Sequence, residues 1–243
     1  MIRHDQQCGF ILHARAYRET SLLLECFLRD HGRIGLIARG VRRERTRLPR
    51  GMLQPLQPLA LSWAGKGELG SLTHVESLGA PLSMPGDALY SAMYLNELVL
   101  RLSERNDPHP QAYEAYVECL QRLATGQGQG WTLRRFERDW LASLGYALVL
   151  DRVADSGQPI DPAGDYSYLA ESGPVAWRGD PNAVRVSGAA LLALARDEMP
   201  NAQQSAELRR LMRALVRHQL AGGQLNAWAL AAYSTPSRDV DSD

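Results

Sequence analysis

The chemistry on offer in this 243-residue sequence comes from arginine and not from any catalytic constellation. The segment 39–50 reads RGVRRERTRLPR. It carries Arg39, Arg42, Arg43, Arg45, Arg47 and Arg50 against one acid, Glu44. A guanidinium presents a planar fork of donors that matches phosphate oxygens. Three roles suit such a loop: a nucleic-acid contact, a solvated connection, or a dock for an acidic partner protein.

Other basic residues are grouped in shorter patterns. Arg15-Ala16-Tyr17-Arg18-Glu19 joins two apolar runs. There Arg15 and Arg18 can meet phosphates and Tyr17 can stack on a base, or Tyr17 can pack down in an ordinary turn. Strand alternation places Arg33 and Arg39 on the face opposite Ile34 and Leu36, either as strand contacts or as a solvated sheet face. Gly65-Lys66-Gly67-Glu68-Leu69-Gly70 matches a glycine-rich dinucleotide pattern, but no helix follows it, so it reads as a hairpin turn with Lys66 at the tip. Leu133-Arg134-Arg135-Phe136-Glu137 opens a helix. Arg134 and Arg135 can grip a C-terminal carboxylate while Leu133, Phe136 and Trp140 take the neighbouring side chain, or both can simply pair with Glu97 or Glu137. Arg209, Arg213 and Arg217 lie four apart and form one helical stripe, a second basic surface or a solvated face.

Function classes are excluded by what is missing. There is no nucleophile elbow, HExxH, Walker A or carboxylate-rich metal box. The six histidines are scattered, and no two stand at i, i+4 spacing. An enzyme is therefore not expected, nor any cofactor. Three cysteines, Cys8, Cys26 and Cys119, form no CxxC pair, which argues for a reducing, cytoplasmic setting and no metal. No secretory apolar region or membrane-length apolar run is present.

These residues need elements to hold them. Short apolar runs at 9–14, 21–28, 33–38, 56–63 and 69–75, punctuated by glycines, predict five strands without intervening helices. That pattern suits a small barrel, with the five-stranded oligonucleotide-binding (OB) fold first and an SH3-like barrel as the alternative. From Pro85 the apolar period changes to three and four. It predicts helices marked by Leu89, Met93, Asn96/Glu97 and Leu100, then over 110–124 and 132–144, where Leu133, Phe136, Trp140, Leu141 and Leu144 face inward. Residues 151–182 read as irregular with a short hairpin at 166–169 and 175–178. Helices follow at 187–196 and 202–220, then a last turn at 226–233. The expected organisation is multi-domain α+β: a nucleic-acid-binding barrel over 1–80, a mainly α-helical domain over 81–234 and a disordered tail over 235–243.

Net charge is zero overall, with 27 basic and 27 acidic residues, but residues 1–80 hold 12 Lys+Arg against 7 Asp+Glu, a balance of +5. Polyanion binding is thus expected at the front.

The ordered set Leu12-x-x-Arg15-x-Tyr17-x-Glu19-x-Ser21, Gly32-Arg33-x-x-Leu36-x-Ala38-Arg39-Gly40-x-Arg42, Leu53-Gln54-Pro55, Tyr94-Leu95-Asn96-Glu97-Leu98, Leu133-Arg134-Arg135-Phe136-Glu137 and Leu144-Gly145-Tyr146 resembles the RecO family of bacterial recombination mediators, over nearly the whole chain. The resemblance implies an OB barrel, a helical domain and no bond-making catalysis. It implies binding of single- and double-stranded DNA, strand annealing, and a nucleoid-associated place in the cytoplasm. It also implies capture of the C-terminal tail of single-stranded-DNA-binding protein, and work with RecR to load RecA. Carried onto this chain, Arg15, Arg33, Arg39, Arg42 and Arg43 would be DNA contacts, and Arg134 and Arg135 tail contacts. Arg45, Arg47 and Lys66 would add attraction.

Two segments depart from the family. Where many relatives have a zinc-binding cysteine cluster, this chain reads Leu150-Asp151-Arg152-Val153-Ala154-Asp155-Ser156-Gly157, so no zinc is expected. Where relatives are often basic near the C-terminus, it reads Leu225-Asn226-Ala227-Trp228-Ala229. Two rival readings remain at this point: an RNA-binding OB module, separable by a 2′-hydroxyl preference, and a protein-binding adaptor.

Overall fold

The computed structural model describes residues 2–43, 48–65, 67–181 and 183–227. Arg45, Arg47, Lys66 and the polar tail lie outside these described residues.

Five strands come first: β1 (Ile2–Tyr17), β2 (Ser21–Leu28), β3 (Gly32–Ala38), β4 (Leu59–Gly65) and β5 (Leu69–Ser77). They close into a barrel in the order β1-β2-β3-β5-β4, with β4 returning to β1. The order and the single parallel pair, β3 with β5, are those of the expected OB architecture. That parallel pair is short, Gly35↔Leu69 to Ile37↔Ser71. It depends on Gly70, where a Cβ would come within 2.6 Å of Trp63 Cδ1 and 2.9 Å of Leu36 Cδ2. Inward-facing Ile11, Leu24, Cys26, Ile34, Leu36, Leu59 and Leu61 fill the interior, as a period of two requires.

β1 starts seven residues earlier than its apolar run predicts. The polar stretch Arg3–Gln7 is held as strand because it pairs with β4, Ile2↔Gly65 through Gln7↔Leu61. A register shift between His4 and Gln7 is accommodated at Gln6 (φ 53°), whose N–H donates to Ser62 Oγ at 3.0 Å. Long-range pairing here overrides a segment with little strand propensity of its own.

Among the described residues the α-helices that follow are α1 (Ala88–Leu102), α2 (Pro110–Ala124), α3 (Gln129–Ser143), α4 (Gly188–Ala195) and α5 (Ala202–Gln219). A three-stranded sheet, order β7-β6-β8, occupies the middle of the irregular region, with β6 (Asp165–Leu169), β7 (Gly173–Ala176) and β8 (Arg185–Ser187). The hairpin was legible; β8 is too short to carry a pattern. In α1 the buried face is Ala88, Ala92, Leu95 and Val99, and Leu89 and Met93 stand exposed. The helix is apolar on two sides, so period alone does not choose between them.

The barrel and the helices share one core. Phe10, Leu12 and Phe27, on the outer face of β1 and β2, pack with Tyr113, Tyr116, Phe136 and Trp140. Burying each such ring is worth about 1.5–3 kcal/mol. The contact is also directional: Tyr116 Oη donates to Asn96 Oδ1 at 2.7 Å, and Asn96 Nδ2 donates to the Leu12 carbonyl at 3.3 Å. A separate core joins α3, α4 and α5 with Leu150, Ile160, Tyr166 and Val186.

Candidate nucleic-acid interface

β1 and β2 turn at one end of the barrel, and β3 runs back to the same end before the arginine-rich segment begins. The turn 18–20 and the loop after Ala38 therefore meet. The Arg42 N–H donates to the Thr20 carbonyl at 3.0 Å, and the Arg43 N–H donates to Gly40 O at 3.1 Å. Gly40 supplies the positive φ, +70°, that this tight turn needs. Val41 and Leu48 are buried in the barrel core on either side of residues 44–47. These two apolar residues are buried, and Arg39, Arg42 and Arg43 are exposed.

The same end carries Arg15 and Arg18, both exposed, and Tyr17, half-buried. Arg18 sits at φ 52°, and its guanidinium lies 5.4 Å from the Tyr17 ring centroid. One face of Tyr17 is thus already used by a cation. Arg39 Nε reaches Ser71 Oγ at 3.4 Å. The fold brings Arg15, Tyr17, Arg18, Arg39, Arg42 and Arg43 together as one exposed basic rim.

Arg33 belongs elsewhere. Its Nη1 pairs with Glu25 at 3.1 Å, and its Nε and Nη2 donate to the Ser103 carbonyl at 3.2 and 3.0 Å. Arg105 pairs with the same Glu25, and the Asn106 N–H donates to Arg33 O at 2.9 Å. The connection leaving α1 therefore pairs along the edge of β3 at Arg33, with the Ser103 carbonyl and the Arg105 side chain reached from its outer face. Gly32 permits this approach: a Cβ there would fall 2.0 Å from the Asp107 carbonyl oxygen. The face where β2 and β3 were expected to meet a strand is covered at this end by the chain's own linker. Arg33 fastens that linker.

On α3 the expected tail-binding group divides. Trp140 is fully buried between Phe27 and Phe136, so its ring belongs to the shared core and not to a surface. Arg134 is also buried, and it pairs with Glu137, which accepts from Tyr94 Oη as well. Burial pushes the Glu137 carboxyl up, against the opposing pull of Arg134 and of the Tyr94 and Arg134 hydrogen bonds. Arg135 alone of the three reaches solvent. Its Nε contacts Asp197 at 3.0 Å, and Arg138 reaches the same carboxylate at 2.8 Å. Burial raises Asp197, but Arg138 and Arg135 outweigh it and hold the carboxyl below its ordinary value.

Arg135 also borders a shallow groove between α2 and α3 that includes Arg122, Cys119 and Phe136. Arg122 went unnoticed in the sequence because its i, i+4 partner Glu118 makes it look like a surface pair. Arg209, Arg213 and Arg217 are exposed on α5, opposite its buried face of Leu208, Leu211, Met212 and Leu215.

No group of three potential metal ligands occurs among the described residues. Residues 150–157 offer Asp151 and Asp155 but no thiolate or imidazole, so the donor set does not fit a structural zinc. Among the described residues, no helix is long and apolar enough to cross a membrane.

Comparison with known proteins places this chain in a family. The chain matches the Recombination protein O N terminal description over residues 1–81 and the Recombination protein O C terminal description over residues 86–229. It is 45% identical over 237 residues to the DNA repair protein RecO of Stenotrophomonas maltophilia (strain K279a), covering 96% of this chain and 99% of that protein. It is 44% identical over 234 residues to the protein of the same name from Xanthomonas oryzae pv. oryzae (strain PXO99A), covering 95% and 96% of the two chains. To that of Ralstonia nicotianae it is 44% identical over 226 residues, covering 92% and 82%. The chain belongs to the RecO family.

Proposed function

We propose that this RecO-family chain is a non-enzymatic DNA-binding mediator of recombinational repair, and that the basic rim is where DNA is held. The observation that carries the reading is the Arg42–Thr20 backbone hydrogen bond, which brings two arginine-bearing loops to one end of the barrel. Guanidinium groups there would neutralise phosphates and release counterions, so affinity should fall steeply with salt. Backbone contacts of this kind fix position without reading sequence, which suits a protein that anneals arbitrary complementary strands. Two strands with neutralised backbones can approach and pair. Arg209, Arg213 and Arg217 offer a second exposed basic face for such a strand.

In the same reading, the groove beside Arg135 and Arg122 receives the C-terminal tail of single-stranded-DNA-binding protein. A terminal carboxylate would displace Asp197 or Glu118 from its arginine. Through that capture, and with RecR, the protein would help load RecA onto a coated strand.

Oligonucleotide titration at several salt concentrations tests the first part. Wild type should bind single-stranded DNA with a steep salt slope, and the Arg39→Ala/Arg42→Ala/Arg43→Ala variant with a shallower one. An unchanged slope would sink the assignment.

A further inference from the structure

The end of the barrel opposite the arginines holds a second arrangement. Cross-strand neighbours His4 and Trp63 stack, with centroids 4.5 Å apart and planes at 12°. His31, from the turn between β2 and β3, meets His4 edge-on at 4.7 Å and Trp63 edge-on at 5.1 Å. The His31 ring is fixed by a 3.2 Å contact between its Nε2 and Gln7 Oε1. These three rings line a cavity of about 240 Å³ with Asp30, Glu68 and Asn106 at its edges. One wall is the glycine-rich β4–β5 turn, which the sequence had read as a hairpin with Lys66 at its tip.

Size, polarity and charge narrow what fits. The volume is below the roughly 300–1,000 Å³ of drug-sized sites, so it suits one ring system. Aromatic and apolar side chains, with Ile2 and Ile34 beside the rings, share its lining with the polar Asp30, Glu68 and Asn106. Burial of His31, reinforced by His4 and opposed by Asp30, lowers its basicity, so the His31 ring stays neutral near pH 7. Exposed Asp30 and Glu68 repel phosphate but accept hydrogen bonds from amino groups. A nucleobase with an exocyclic amino group satisfies all of these conditions. Its ring packs against imidazole and indole, its amino group faces a carboxylate, and its phosphate remains outside.

We propose that this cavity captures one unstacked amino-bearing base, cytosine, adenine or guanine, from a strand whose backbone is held at the arginine rim. The proposal rests on the DNA-binding reading above. The two sites are separated by roughly the length of β3, about 23 Å for its seven residues at ~3.3 Å each. At ~3.4 Å per nucleotide, a strand of about seven nucleotides reaches from one to the other. Pinning a base at a distance from the basic rim would unstack the strand and leave the intervening bases open to a complement.

The test uses the full chain and labelled dC12, dT12, and dT12 carrying a central 2-aminopurine. Wild type should bind dC12 about tenfold more tightly than dT12, as a hydrogen bond to a charged acceptor allows. It should also quench 2-aminopurine fluorescence through stacking. In Asp30→Asn/Glu68→Gln, two exposed changes that leave the core intact, the dC12 to dT12 ratio should fall towards one. In His4→Ala/His31→Ala the quench should be lost. Equal affinities in wild type, or a ratio and quench unmoved by both variants, would overturn the pocket while the arginine-dependent salt slope still stood. Absence of binding to every oligonucleotide would overturn both readings together.

Discussion

The edge of the Phe27 ring meets Trp140 with centroids 5.7 Å apart and planes at 80°, so a residue on the outer wall of the barrel packs directly on helix α3. That helix also carries Arg135. The barrel that offers the basic rim and the helix that offers the α2–α3 groove are thus two sides of one packed interface.

Separating rim arginines from the linker arginine is the first prediction. Changing Arg39, Arg42 and Arg43 together to alanine should lower the salt slope of DNA binding by up to about three, roughly one for each phosphate contact. Arg33→Ala should leave that slope near wild type and instead lower the melting temperature, because Glu25 keeps one partner fewer and the Ser103 carbonyl loses its donor. Titration in a salt series and a thermal melt read the two effects. A steep loss of DNA slope in Arg33→Ala would contradict this division.

Trp140 and Arg135 should behave as opposites. Trp140→Ala removes a fully buried ring and should cost about 3–5 kcal/mol in denaturant unfolding. Arg135→Ala, on the surface, should change stability by well under 1 kcal/mol. It should nonetheless weaken binding of a peptide ending like the tail of single-stranded-DNA-binding protein. Calorimetric titration of the peptide against both variants checks the tail reading; wild-type affinity in Arg135→Ala would reject it.

Glu137 is a buried carboxylate beside a buried guanidinium. Removing it alone, as in Glu137→Leu, should destabilise by about 3–5 kcal/mol, since Arg134 would keep its charge without its partner. The double change Arg134→Met/Glu137→Leu should recover much of that loss. Urea denaturation of the single and double variants measures the coupling, and additive losses would show that the pair is not the cause.

Acid should weaken the barrel through His31. Its folded basicity lies below the ordinary histidine value of 6.5, chiefly from burial and then from His4, with Asp30 opposing. The unfolded chain then binds the proton more readily than the fold does. The contribution is fully present above about pH 6.5 and is lost as pH falls below it towards the folded value. Melting curves at pH 7.5 and 5.5 should show a smaller acid-induced drop in His31→Gln than in wild type. Among the described residues, the titratable groups facing this ring are His4, Asp30 and, across the cavity, Glu68. An equal drop in both proteins would assign the acid sensitivity to other groups.

The barrel strands, the helical region after Pro85 and the charge bias of the front half follow from local pattern: apolar alternation, three-and-four spacing and glycine punctuation act over a few residues. The basic loop was legible for the same reason, since guanidinium density needs no fold to be seen. What tertiary structure decided was neighbourhood. Arg33 near the start of β3 and Arg39 just past its end sit six apart, yet one is tied to Ser103 and Glu25 and the other stays exposed at the rim. Trp140 and Arg135 share a helix, but rotation about its axis sends one into the core against Phe27 and the other to Asp197. His4, His31 and Trp63 are up to 59 positions apart in the chain. Only the closure of β1 on β4 and the turn after β2 bring their rings together, a pairing set by long-range hydrogen bonds that no local window of sequence contains.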